Sequence, residues 1–242
     1  MYYGAAPTLS IDLSNSWTTS SVAINQISKP PGISGKTNTY RHPGLFWQDS
    51  TKSIVVYGGD DYSGKSSFDE RYTIWSFTPS SPSNGDGKWS PTTGRLNDII
   101  WPHNPSSVDT PNGGIVVGGY SVLSGIALPL LNMTIVGKSN SYTGSPDIGP
   151  FVRGGVHYGS AHFVPSFGTG EGMIIYIGGA TVPGAARRRE DSRVMLSMST
   201  INIYDIASKQ WYTQTAGGDI PSGRLLSCIS GAQGANTSTY EM

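Results

Sequence analysis

Eight consecutive residues, Gly59 to Ser66, match the G-x-x-x-x-G-K-[ST] pattern of a phosphate-binding loop. In such a loop the backbone N–H groups and the lysine hold the phosphates, and the last hydroxyl binds Mg²⁺. Asp60 and Asp61 oppose this chemistry because they would place negative charge beside the phosphates. The residues after Ser66 also read as a loop and a strand, whereas the pattern requires a helix N-terminus facing the phosphate. We interpret the segment as a solvated loop and keep nucleotide binding as a remote alternative.

Other side chains with catalytic or ligating chemistry are scattered along the chain. The four histidines fall in different predicted segments and form no His-x-x-x-His pair; they are His42, His103, His157 and His162. The sequence therefore predicts no metal site. The single cysteine, Cys228, excludes an internal disulfide and is predicted to be a buried thiol in an inner strand. No G-x-S-x-G motif supplies a serine nucleophile. We therefore identify no catalytic residue and expect no cofactor.

Two further signals concern modification and partners. The triplets that begin at Asn132 and Asn236 fit the N-glycosylation acceptor pattern, and Asn132 lies in a predicted strand. The charge cluster from Arg187 to Arg193 is interpreted as a solvated loop insertion. An acidic partner or a protease-sensitive site is the alternative for that cluster.

Composition narrows the function classes. The formal net charge is zero, which argues against a nucleic-acid partner because such proteins depend on a basic surface. Glycine (32) and proline (16) are frequent among 242 residues, which favours many short strands and turns. No apolar run approaches the ~18 residues of a membrane span, and residues 1–6 show no signal peptide.

Three Gly-Gly pairs recur at intervals of 60 residues, at Gly58-Gly59, Gly118-Gly119 and Gly178-Gly179. Each pair follows an apolar run that reads as a strand. A fixed period of this kind indicates a repeat architecture. The period also gives Gly59 a structural role, which weakens the phosphate-loop interpretation further.

Each repeat contains four predicted strands, with the Gly pair after the second strand and an aromatic residue in the fourth. That aromatic is Trp89, Tyr142 or Trp211. A four-stranded antiparallel sheet repeated around an axis is a β-propeller blade. The third repeat is the most complete, because Tyr204-Asp205 and a turn precede its tryptophan. This order of elements resembles the kelch repeat, and residues 10–17 and 211–224 resemble fungal kelch-repeat proteins of the cell-surface type.

The resemblance implies an all-β, kelch-type β-propeller as a single, incomplete domain over residues 1–242. We predict about three full blades and a partial blade at each end, the first ending at Trp17; the approximate bounds are 8–20, 41–93, 103–145, 157–215 and 225–242. Truncation of a six- or seven-bladed propeller is the favoured explanation, and closure into a four-bladed ring is the alternative. The resemblance also implies an extracellular or cell-surface location, in a membrane-anchored parent protein. A cytoplasmic location is the alternative.

In a propeller of this family, the loops from second to third strands and the loops between blades lie on one face. Here those loops are residues 60–71, 120–129, 180–198, 91–103, 145–158 and 214–224. Loops on a rigid scaffold commonly carry binding sites. The candidate ligand-binding residues precede the inner strands; they are Arg41, His42, Arg153, His157 and Arg224. Their alternative role is hydrogen bonding to loop carbonyls between blades.

These patterns predict a non-catalytic scaffold that binds a protein or a cell-surface glycan through that face. The alternative is a propeller enzyme, galactose-oxidase-like or otherwise active on carbohydrate. Such an oxidase would carry copper on histidines and tyrosines, so the metal content of the purified chain discriminates the two. Fold alone does not decide between them, because propellers host many functions.

Overall fold

All regular structure in the described residues is β-strand. The computed structural model describes residues 7–12, 14, 16–28, 44–48, 52–57, 74–80, 86–91, 104–119, 131–136, 139–144, 150–151, 156–181, 194–236 and 238–242. Several predicted features lie outside these residues, namely Gly58, Gly59 and the phosphate-loop motif, Arg41, His42, His103, Arg153 and the cluster from Arg187 to Arg193.

A two-stranded sheet comes first in the chain, formed by β1 (Thr8–Ile11) and β2 (Ile24–Ile27). The prediction that this partial unit ends in a strand at Trp17 is wrong. Trp17 lies in the connection between the two strands and is 47% exposed. The chain turns directly after it, where the N–H groups of Ser21 and Val22 both donate to the carbonyl of Thr18 at 3.0 Å.

The described residues next form three four-stranded antiparallel sheets, and in each one the strands pair in chain order. Sheet I consists of β3 (Gly44–Gln48), β4 (Ser53–Tyr57), β5 (Trp75–Pro79) and β6 (Gly87–Pro91). Sheet II consists of β7 (Ser106–Thr110), β8 (Gly113–Val117), β9 (Leu131–Val136) and β10 (Ser139–Gly144). Sheet III consists of β12 (Ser160–Val164), β13 (Met173–Ile177), β16 (Thr200–Asp205) and β17 (Gln210–Thr215).

Two small sheets complete the described part. The face sheet joins β11 (Val156–His157), β14 (Ala180–Thr181) and β15 (Val194–Met195) in the order β11-β14-β15. A hairpin pairs β18 (Ala232–Gln233) with β19 (Tyr240–Glu241). The expected inner strand from Leu225 is absent from residues 225–230, and its place in the chain is taken by an irregular segment.

The first strands of the three large sheets lie side by side, since β3 and β12 both contact β7. Burial follows from this arrangement. The apolar strand β13 is buried along its centre because strands flank it on both edges and other residues cover its faces. The outer strand β17 is exposed at most positions and carries polar residues. This is the architecture of the kelch-type propeller that the sequence predicted, with inner strands together and fourth strands outermost.

The core between sheets II and III is continuous. Ile115 and Val117 of β8 belong to the same buried cluster as Ile174 and Tyr176 of β13. Burying one such side chain contributes about 1.5–3 kcal/mol. The two sheets therefore stabilise each other through this shared layer.

The predicted aromatic of sheet III fills a gap beside this core. Trp211 packs on Phe151 and Tyr204, with ring centroids 5.2 Å apart in each pair. Trp89 of sheet I contacts Phe77 at 5.2 Å and donates its indole N–H to Thr8 Oγ1 at 3.0 Å, which joins β6 to β1. Aromatic contacts of this kind add about 0.5–1.5 kcal/mol beyond the area they bury.

Asp205, which follows Tyr204 in β16, is a buried acceptor. Its Oδ2 accepts the Thr169 N–H at 2.7 Å, and its Oδ1 accepts the Thr169 hydroxyl at 2.6 Å and the Ser208 N–H at 2.8 Å. The carboxylate thus ties the β12–β13 loop to the β16–β17 turn. Burial opposes ionisation of this carboxyl, but the hydrogen bonds from Thr169 and Ser208 outweigh it and lower the pKa of Asp205 to about 2.

Candidate binding face

The two described Gly-Gly pairs occupy backbone conformations that favour glycine. The φ angles are 68° and 87° at Gly118 and Gly119, and 67° and 83° at Gly178 and Gly179. Contact with the next segment adds a steric reason. A Cβ on Gly118 would lie 2.1 Å from the carbonyl oxygen of Val156.

Each pair also bonds the segment that leads out of its sheet toward the next strands. The N–H of Gly119 donates to the Val156 carbonyl at 2.7 Å, and the N–H of Gly179 donates to the Arg224 carbonyl at 3.0 Å. Val156 precedes sheet III, and Arg224 precedes the β18–β19 hairpin. The glycine turns therefore fasten successive units of the chain to one another at this end of the sheets.

A second set of contacts repeats beside the glycine turns. Asn104, Tyr158 and Leu226 all have positive φ angles, of 51°, 59° and 55°. The N–H of Tyr158 donates to the Asn104 carbonyl at 3.2 Å, and the N–H of Leu226 donates to the Tyr158 carbonyl at 2.9 Å. The left-handed conformation costs about 1–2 kcal/mol at a residue with a Cβ. The hydrogen-bonded chain from unit to unit offsets this cost.

Two residues beyond each of these positions stands a small polar or thiol side chain. The Ser106 hydroxyl donates to the Gly159 carbonyl at 2.6 Å, and the Ser160 hydroxyl donates to the Ser227 carbonyl. Cys228 holds the third equivalent place, two residues after Leu226. The prediction that its thiol is buried in a strand is wrong, because Cys228 is exposed and its segment is irregular.

The face sheet brings two of the predicted loops together. β11 comes from loop 145–158, while β14 and β15 come from loop 180–198 and form a short paired stem. His157 pairs with Ala180 and is only 4% exposed. A loop between strands and a loop between repeats thus meet at one end of sheet III, as the family resemblance implied.

Loop 214–224 joins the same face. The Leu196 N–H donates to the Gly179 carbonyl at 2.9 Å, while the N–H of the same glycine donates to Arg224. A Cβ on Gly223 would lie 2.9 Å from the Leu196 carbonyl oxygen and 3.1 Å from the Met195 Cβ. Segments 194–196 and 223–226 therefore lie close together along the glycine turn.

Both segments expose large aliphatic side chains to solvent. Val194 is 53% exposed, Met195 is 54% exposed and Leu226 is 68% exposed. Arg224 is exposed between them in the chain, and its Nε donates to the Ser222 carbonyl at 3.3 Å. We call these four residues, Val194, Met195, Arg224 and Leu226, the exposed patch.

Of the five predicted ligand-binding residues, the structure describes His157 and Arg224. It brings their backbones to the same glycine, because the His157 carbonyl lies 2.7 Å from the Cβ position of Gly179 and the Arg224 carbonyl accepts its N–H. Their side chains differ in access. His157 is buried and its ring packs on Tyr158 at 5.1 Å, whereas Arg224 reaches solvent while bonding a loop carbonyl. The bond from Arg224 to a loop carbonyl agrees with its alternative role, and ligand binding by Arg224 stays a prediction.

Sequence reasoning missed the exposed aliphatic residues of the face and the left-handed positions. An asparagine at 104 is a modest signal for positive φ, because asparagine tolerates that region. Tyr158 and Leu226 give no such signal. Val194 and Met195 carry an apolar pattern that normally predicts burial, so only their position outside the main sheets shows their exposure.

A histidine of sheet III contacts a tyrosine of the β18–β19 hairpin. His162 Nε2 is 2.6 Å from Tyr240 Oη, and burial lowers the pKa of His162. Within the described residues, no group of three or more His, Cys, Asp or Glu side chains is placed to hold a metal ion. That part of the chain also contains no helix long and apolar enough to cross a membrane.

A curated protein and a solved structure are similar to this chain. No family model matches the chain. A kelch repeat-containing protein of Arthroderma benhamiae is 23% identical over 278 residues, a match that covers 96% of this chain and 38% of that protein. The chain thus spans less than half the length of this relative. The solved structure of YjhT is 15% identical in sequence and gives a TM-score of 0.49. That match covers 83% of this chain and 64% of the YjhT chain.

The sequence resemblance and the sheet architecture lead to the same result. A chain that is similar to a kelch-repeat protein over nearly its whole length folds, where it is described, into successive four-stranded antiparallel sheets with their first strands together. The chain is therefore similar to kelch-repeat proteins and has an all-β fold of the kelch-type β-propeller.

Proposed function

We propose that this chain is a non-catalytic propeller scaffold that binds a partner through the face built around the Gly-Gly turns. The observation that carries the proposal is the exposed patch, in which three large aliphatic side chains stand in solvent on adjoining segments. Single exposed apolar residues are common on protein surfaces, but neighbouring ones beside functional loops are typical of interaction sites.

The chemistry of the patch favours a protein partner over a cell-surface glycan. Aliphatic side chains contribute to binding when they are removed from water and packed against another apolar surface. Arg224 adds a charged donor at the same place, and arginine is enriched at protein interfaces. Arg41, His42 and Arg153 extend the proposed site on the basis of their sequence positions alone. An extracellular or cell-surface location belongs to the same proposal.

The test compares two matched leucines in a pulldown with the immobilised chain. Leu226 lies in the patch and is 68% exposed, whereas Leu9 of β1 is 58% exposed and lies outside it. A partner bound by the wild type should be lost with Leu226→Asp and retained with Leu9→Asp. If Leu226 anchors the interface, we expect at least a tenfold weaker Kd, equivalent to about 1.4 kcal/mol.

A second pair of measurements separates the competing functions. Replacing Arg153 and Arg224 together with alanine should also weaken binding of the partner. Unchanged binding would show that neither arginine belongs to the binding site. Binding to a glycan array that survives Leu226→Asp would favour a glycan ligand. Stoichiometric copper in the purified chain, measured by mass spectrometry, would favour the oxidase alternative.

A further inference from the structure

The loop of the β18–β19 hairpin carries the triplet Asn236-Thr237-Ser238. The base of the hairpin is fixed, because Tyr240 Oη contacts His162 Nε2 at 2.6 Å and the Gly234 N–H donates to the Thr239 carbonyl at 2.9 Å. Asn236 itself is exposed. The asparagine of an N-glycosylation triplet therefore stands at the surface, on a loop whose base packs on sheet III.

The local hydrogen bonds orient the amide of Asn236. Its Oδ1 accepts the Ser238 N–H at 3.2 Å and the Ser238 hydroxyl at 2.6 Å. Both bonds use the oxygen, so the nitrogen that would carry a sugar is not engaged by either of them. The hydroxyl two residues on, which the acceptor triplet requires, is thus already in contact with the acceptor amide.

Asn132 offers an internal contrast with the same triplet chemistry. It lies in β9, where it pairs with Ile115 of β8 on one side and with Thr143 of β10 on the other. In an extended strand, residues two apart are separated by roughly 6.6 Å along the chain. While β9 stays in its sheet, the backbone from Asn132 to Thr134 is extended, unlike the hydrogen-bonded arrangement of Asn236 and Ser238.

We propose that Asn236 is an N-glycan acceptor when the chain passes through a secretory compartment, and that Asn132 is not. In the transfer, Nδ2 of Asn236 forms a bond to the anomeric carbon of a lipid-diphosphate-linked oligosaccharide. The bond from that carbon to the phosphate oxygen breaks, the lipid diphosphate leaves with the electron pair, and one Nδ2 proton passes to a base of the host transferase. This assignment is independent of the partner-binding face.

The test directs the full chain into the secretory pathway of a yeast with an added leader. The secreted protein is analysed by intact mass before and after treatment with a peptide N-glycosidase. The glycosidase converts each glycosylated asparagine to aspartate, so peptide mapping also reads the occupancy of both sites in the wild type, without relying on a variant. We expect one glycan, at Asn236. Asn236→Gln and Ser238→Ala should each remove it, whereas Asn132→Gln and Ser238→Thr should leave it in place.

Each other result overturns a stated part of the assignment. A secreted wild-type chain without a glycan would remove Asn236 as an acceptor, as would a glycan that survives Asn236→Gln. Occupancy of Asn132, alone or together with Asn236, would show that the strand position does not prevent transfer.

Discussion

Replacing Asp205 with asparagine is expected to destabilise sheet III with a characteristic dependence on pH. Asparagine has nearly the same shape as aspartate, but it keeps only one acceptor oxygen and loses the negative charge. At least one of the bonds from Thr169 and Ser208 is therefore lost, and the others become weaker because they are no longer charge-assisted.

The magnitude follows from the pKa of the carboxyl. The shift from 3.8 to about 2 corresponds to at most about 2.5 kcal/mol at neutral pH. Asparagine keeps part of this hydrogen bonding, so we expect the substitution itself to cost about 1–2 kcal/mol. A depressed folded-state pKa means that this stabilisation is present above the unfolded pKa near 4. It is lost as the pH falls from about 4 toward 2, where the folded protein also takes up the proton.

The assay is urea unfolding followed by tryptophan fluorescence, repeated from pH 7 to pH 2. Asp205→Asn should unfold at lower urea at pH 7, and the difference from the wild type should shrink below pH 4. Asp219→Asn is the matched control because Asp219 is exposed in loop 214–224. Equal stability of Asp205→Asn and wild type at pH 7, or a difference that does not change with pH, would refute the proposed role of the carboxylate.

Three further outcomes follow from the described contacts. Gly118→Ala should lower the free energy of unfolding by about 2 kcal/mol or more, because it adds a Cβ at positive φ against a carbonyl oxygen. Gly217→Ala is the control and should change the free energy of unfolding little, because Gly217 has open space around it. Burial lowers the pKa of His162, so the folded protein binds a proton on this ring less readily than the unfolded chain does. The free energy of unfolding therefore falls as the pH drops below the unfolded pKa near 6.5. His162→Gln should therefore flatten the fall in Tm between pH 7 and pH 5.5, and an unchanged slope would contradict this. Cys228 should react with a chromogenic disulfide reagent in the folded protein, whereas reaction only in denaturant would show a buried thiol.

The 60-residue period, the apolar runs and the fourth-strand aromatics predicted a propeller of four-stranded sheets, and the resemblance to the kelch repeat implied its type. These signals are local, because a run such as 173–177 forms a buried strand and a glycine pair permits positive φ wherever the sequence places them. The apolar runs before Gly58 and Gly178 form strands, as predicted, at residues 53–57 and 173–177. The strand predicted at Trp17 failed because a Thr18–Ser21 turn intervenes, which composition alone did not reveal.

The candidate site depended more on tertiary structure. The sequence placed Arg224 and His157 near inner strands, but only packing decided that the histidine is buried and the arginine exposed. Likewise, only the folded chain separates Asn236, in a hairpin loop, from Asn132, between two paired strands. The triplets themselves are equivalent.

The sequence by itself determined the repeat, the strand order within each sheet and the glycine turns, because these depend on side chains within one repeat. Only the tertiary structure decided what those turns hold, since Val156 and Arg224 reach the glycines across the gap between successive units. It also placed Cys228 in solvent, at a position where Ser106 and Ser160 bond the following unit. The physical reason is that contacts between units join residues far apart in the chain, and no local pattern encodes which partner arrives.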